Sequence, residues 1–180
     1  MEITSEVHLR GTAWNQAINA FSKIFATRPH YMLYMLAMSI GIMYDQRIEK
    51  PEENGEDYKS IARNVFYNND NGKMDYMFQA AVLSTTTEEF TEDERLELAF
   101  GEKTDFNKVG FLTEFANFGV TKLVELIGNS PLESMDNIKN FLVSTVEGRN
   151  LDIEALPDDL LLYDEYFSAN IDNCIYGWYT

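Results

Sequence analysis

The chain has 180 residues, 45% of them apolar and 13% aromatic, with 30 acidic side chains against 14 basic ones and a formal net charge of −16. That composition builds a hydrophobic core of single-domain size and excludes a globally disordered chain. The acidic excess repels phosphate and weighs against non-specific binding to nucleic acid or to an anionic membrane; it is compatible with a basic protein partner, with mimicry of DNA, or with solubility alone.

Residues 2–10 alternate loosely, with Ile3, Val7 and Leu9 apolar and Glu2, Glu6 and Arg10 polar. Residues 1–11 are therefore expected to form a short extended arm. The early acid and the lack of an apolar run are unlike a secretory signal. Thr12 is a plausible helix cap, and Ala13, Ala17, Ile18, Phe21, Ile24 and Phe25 recur at helical spacing. Pro29 disfavours helical geometry at Arg28 and suits the first turn of the next helix.

That next helix is "YMLYMLAMSIGIMYD", residues 31–45. Its uncharged stretch, Tyr31 to Tyr44, is shorter than the roughly 20 residues a membrane span needs, so no membrane association is expected. Apolar residues cover most of its circumference, which predicts a buried central helix with methionines as adaptable packing. Should part of it lie exposed, its Met and Tyr face becomes the first docking candidate.

"QRIEKPEENGED" (46–57) reads as an exposed loop. A third helix is expected from Asp57 to Tyr67, and "NNDNG" (68–72) as a turn. The calcium-loop frame fails there: with Gly72 at the sixth position, Tyr67 and Phe78 occupy the first and twelfth, where carboxylates are required. A fourth helix spans 73–84, with Met74, Met77, Phe78, Ala81 and Val82 inward. A fifth runs from Thr91 to Phe100, where Thr91 and Glu94 have capping-box spacing. The sixth, 107–127, carries a wide apolar stripe and meets Gly128 as its stop. The seventh runs from Pro131 to Gly148 with Met135, Ile138, Leu142 and Val146 on one face.

The fold is thus expected to be mainly α: a single globular bundle of seven to eight helices with a short extended N-terminal arm, its helical domain spanning 12–148. Residues 149–180 form an acidic and aromatic C-terminal segment, without Lys or Arg from Asn150 onward. It is too apolar for a solvating tail and packs on the domain or on a partner. Tyr163, Tyr166, Phe167, Tyr176, Trp178 and Tyr179 are the partner-binding candidates, because aromatics with one polar end favour interfaces. Covering the domain's own core is the equal alternative.

Catalysis has little to work with. The single Cys174 excludes an internal disulfide and a cysteine zinc site and suits a reducing cytoplasm. His8 and His30 lack a supporting motif, and no nucleophile elbow, phosphate loop, dinucleotide fingerprint or metalloprotease motif occurs. Paired carboxylates such as Glu52 with Glu53, or Asp158 with Asp159, read as solvated charge. The basic residues are scattered singly, so no direct nucleic-acid interface is expected. No catalytic, cofactor-binding or metal-ligating residue is nominated, and the chain is read as a non-enzyme without cofactor.

A series of segments carries a resemblance. "FSKIFATRPHYMLYMLAMSIGIMYDQRIE", "SIARNVFYNN", "MDYMFQAAVLSTTTEEF" and "FLTEFANFGVTKLVELI" follow one another between residues 21 and 142. The series resembles the small Dnd system-associated proteins of bacterial DNA-phosphorothioation defence cassettes. In that family an aromatic, alanine-rich helix ends in a glycine before a charged turn, and a segment like "EEYANGG" precedes a leucine-rich helix. Glu114 to Gly119 match that segment, whereas its second glycine is Val120 here. The helix exit "YDQRIEKP" also departs from the family's basic run. The resemblance implies a non-catalytic accessory subunit of an anti-phage complex, with an ATPase or nuclease of the same operon as its protein partner. Two alternatives stand beside it: an acidic DNA-mimic inhibitor, and a hydrolase with a carboxylate-bound metal. A homo-oligomer is compatible with all of these.

Overall fold

The computed structural model describes residues 6–51, 58–85, 90–101 and 105–147. The chain divides into two compact units, residues 1–139 and 140–180. In order, the described elements are β1 (Val7–Arg10), α1 (Thr12–Phe21), α2 (Pro29–Tyr44), β2 (Tyr58–Ile61), α3 (Arg63–Asn69), α4 (Lys73–Ser84), α5 (Glu92–Phe100), α6 (Lys108–Glu125) and α7 (Pro131–Glu147). The fold is mainly α, with seven helices and one two-stranded sheet among the described residues.

The first unit is organised by α2 against α6. Gly41 and Gly119 let the two backbones touch. A methyl carbon placed on Gly41 would press into the Phe115 carbonyl and lie 2.9 Å from the Phe115 Cα; one placed on Gly119 would press into the Ala37 carbonyl and lie 3.0 Å from the Gly41 nitrogen. Small residues at a crossing permit this approach, and it brings the flanking side chains into dense contact. Leu33, Tyr34, Ala37, Met38 and Ile40 of α2 are buried, as are Leu112, Phe115, Ala116, Val120 and Leu123 of α6. The expected central helix is thus present. One edge of α2 nevertheless reaches solvent: Met32 and Ser39 are exposed and Leu36 and Met43 half-buried, at helical spacing.

α2 ends in a Schellman arrangement. Asp45 takes left-handed angles (φ 52°, ψ 45°), its N–H donates to the Ile42 carbonyl, and the Gln46 N–H donates to the Gly41 carbonyl. The chain then turns onto α6, where the Ile48 N–H donates to the Glu114 carbonyl at 3.0 Å. Arg47 pairs with Glu114 at 3.0 Å and stacks over the rings of Phe111 and Phe115. No helix among the described residues is long and apolar enough to cross a membrane.

Five expectations are corrected. Residues 58–61 are a strand instead of the start of the third helix. β2 pairs antiparallel with β1 in the register Val7 to Ile61 and Arg10 to Tyr58, so its backbone groups are satisfied across a ladder, and the helix starts after extended Ala62. α1 is capped by Gly11 (φ 101°), a conformation suited to glycine, and Thr12 lies inside it. That helix ends at Phe21, where the Ile24 and Phe25 N–H groups both turn back to the Phe21 carbonyl to redirect the chain before Pro29. α6 ends at Glu125, and Gly128 donates its N–H to the Ser134 hydroxyl at the entry of α7. On α7 only Ile138 of the expected stripe is buried; Met135 and Leu142 are exposed, and the side chain of Val146 lies outside the described residues.

Candidate functional site

α5 is positioned by its two ends. At its start the Glu94 N–H donates to the Thr91 hydroxyl, and the Thr91 N–H donates to the Glu94 carboxylate at 2.8 Å, so the expected capping box is formed. On its inner side the Arg95 guanidinium donates to the carbonyl of Val82 at 3.1 Å and to that of Thr85, closing the end of α4. Substituting Thr91 with alanine is expected to cost about 1 kcal/mol and to raise amide exchange in the first turn of α5 before any change in α2 or α6. Unaltered exchange there would mean that Arg95 alone holds the helix.

With that side fixed, α5 turns its acids outward. Asp93, Glu94 and Glu97 rim a groove of about 340 Å³ whose apolar lining is Phe90, Leu98 and Phe106. The lining is continuous with the core. Phe90 meets Phe106 with ring centroids 6.4 Å apart, Phe106 meets Phe111 at 5.5 Å, and Phe111 meets Phe115 at 5.1 Å beside the α2–α6 crossing. These are edge-to-face contacts, which hold ring orientation as well as area. Leu96 and Phe100, one turn apart on the same helix, are exposed.

A second arrangement lies in the core. Thr113 and Asn117, one turn apart on α6, are each gripped by a buried aromatic. The Trp14 indole N–H donates to Asn117 Oδ1 at 2.9 Å, and the Tyr34 hydroxyl shares a hydrogen bond with Thr113 Oγ1 at 3.0 Å. Asn117 in turn donates to the Ile48 carbonyl at 3.0 Å, and Thr113 to the Val109 carbonyl. Burial pushes the Tyr34 phenol far up, so it stays a neutral hydroxyl. Sequence reasoning passed over both polar residues. The signal was there, in a threonine and an asparagine four apart on an otherwise apolar stripe.

The six nominated aromatics, Tyr163, Tyr166, Phe167, Tyr176, Trp178 and Tyr179, lie outside the described residues. His30 sits at the start of α2 with its Nδ1 3.3 Å from the Ser60 carbonyl, which ties that helix to β2. Among the described residues no group of three His, Cys, Asp or Glu side chains is placed to hold a metal ion. Comparison of the chain with protein-family models, with curated proteins and with solved structures finds no match.

Proposed function

We propose that this chain is a non-catalytic accessory subunit of a bacterial anti-phage or DNA-defence complex, and that it binds a larger ATPase or nuclease through an acidic, aromatic surface. The resemblance to the Dnd system-associated proteins motivates the setting. The groove on α5 carries the binding part. Its phenylalanine and leucine lining matches an apolar side chain, and the carboxylates of Asp93, Glu94 and Glu97 match Lys or Arg one turn away on a partner segment. A DNA mimic needs only charge, so the apolar lining weighs for a protein ligand over a nucleic-acid-binding cleft. The half-exposed methionine and leucine edge of α2 is a second, narrower contact surface.

Co-expression with the proteins encoded beside it tests the proposal. Wild-type chain is expected to co-purify with one large partner, and an Asp93→Lys, Glu97→Lys double variant to lose about tenfold or more in affinity while keeping its unfolding midpoint. A wild-type chain that ignores every neighbouring gene product would overturn the reading. Retention by the double variant would instead move the contact to α2, where Met32→Lys is the corresponding change.

A further inference from the structure

α5 presents its outward side as neighbouring rows at helical spacing. Asp93 and Glu97, one turn apart, make an exposed acidic row. Glu94 and Leu98 make the next row on one side, beside the apolar floor of Phe90 and Phe106. Leu96 and Phe100 make an exposed apolar row on the other side. The acidic row is therefore flanked by apolar surface on both sides. Glu94 adds little to it, because its carboxylate is taken by the N–H and the hydroxyl of Thr91.

Two cations one turn apart on a partner helix sit about 6 Å apart along its axis, the same step that separates Asp93 from Glu97. Alternate residues of an extended strand have nearly the same spacing, about 6.6 Å, so distance does not choose between the two. The arrangement does. A strand shows a single row of side chains on each face, so cations that meet the acids leave the residue between them pointing away. A helix shows neighbouring rows on one face. Lys or Arg at i and i+4 can meet Asp93 and Glu97 while apolar residues at i+3 and i+7 lie beside them, over the groove. α5 is set for such a pairing before a partner arrives, since Thr91 fixes its start and Arg95 ties its inner side to the end of α4.

On the reading of this groove as the partner-binding surface, we infer that its ligand is a basic amphipathic helix, with Lys or Arg repeating every fourth residue beside a row of apolar side chains. The groove of about 340 Å³ takes the apolar row, Asp93 and Glu97 take the cations, and Leu96 and Phe100 cover the far side. The net charge of −16 draws such a helix in from a distance, and the apolar contacts fix its register.

The full-length chain would be titrated into a fluorescein-labelled synthetic peptide of repeated Lys-Ala-Ala-Leu units and binding followed by anisotropy. Saturable binding is expected. It should weaken about tenfold or more when central alanines become proline, which breaks the helix and keeps every Lys and Leu, when Leu becomes Ala, and when Lys becomes Glu. Asp93→Lys with Glu97→Lys should lose a similar factor. Glu49→Lys with Asp136→Lys, an equal change of charge at exposed positions elsewhere, should not. Equal binding of the helical and proline-broken peptides, or equal loss in the two double variants, would overturn the helical ligand at α5. So would a dimer of the chain alone that Asp93→Lys with Glu97→Lys dissolves, which would assign the groove to a second copy. If the peptide fails to bind while a co-purifying neighbour still depends on Asp93 and Glu97, the helical ligand falls and the partner-binding surface stands. If the peptide binds and no neighbour co-purifies, the ligand class is supported and the accessory-subunit reading alone is overturned.

Discussion

Replacing Gly119 with alanine is expected to destabilise the fold by about 3 kcal/mol or more, although helix propensity alone would favour the change by about 1 kcal/mol. The opposing term is steric. The added methyl group meets the Ala37 carbonyl and the Gly41 backbone, and neither can rotate away as a flexible side chain would. The helices must separate, and every contact along α2 and α6 loosens together. Gly41→Ala meets the Phe115 backbone and should cost a similar amount. The two penalties should not add, because one separation relieves both clashes. Urea unfolding of the three variants measures this. An alanine at either position that leaves the midpoint unchanged would mean that the two backbones do not touch.

Trp14→Ala is expected to cost about 3–5 kcal/mol, combining lost burial with the cavity left behind. Trp14 is fully buried, its ring stacks on Tyr34 at 6.4 Å, and its indole N–H satisfies Asn117. Trp14→Phe separates these contributions. It keeps most of the apolar volume and removes the donor, so about 1–3 kcal/mol should follow from leaving Asn117 Oδ1 under-satisfied in the core. Unfolding by urea gives the size of each effect, and the Asn117 side-chain amide signals report the broken bond directly. Full stability in Trp14→Phe would show that the indole hydrogen bond contributes nothing net.

The helices that were legible in the sequence are those whose periodicity is backed by punctuation. Pro29 and the charge at Asp45 bound α2, and Thr91 with Glu94 marks the start of α5. The β1–β2 pair was half visible. The alternation of Val7 and Leu9 showed an extended segment, but Tyr58, Ile61, Ala62, Val65 and Phe66 also fit a helical face. Only the long-range pairing of Val7 with Ile61 decides between the two, and local spacing carries no trace of it. Gly128 misled for a related reason. A glycine after an apolar stripe suggests a stop, yet this one serves the cap of the following helix. The capping box that starts α5 was readable. The groove beside that helix was not, because it is completed by Phe106, which follows the helix in the chain and reaches it through the phenylalanine contacts of the core.

The glycine crossing also bears on how the chain is made. α2 is complete at Tyr44, whereas α6 begins only at Lys108. During synthesis the most apolar of the described helices therefore leaves the ribosome well before the surface that covers it. Neither glycine can stabilise α2 alone, since each is useful only when the other backbone arrives. The nascent chain passes through a stage with Leu33, Ala37, Met38 and Ile40 not yet covered by α6, when exposed apolar surface is most open to aggregation.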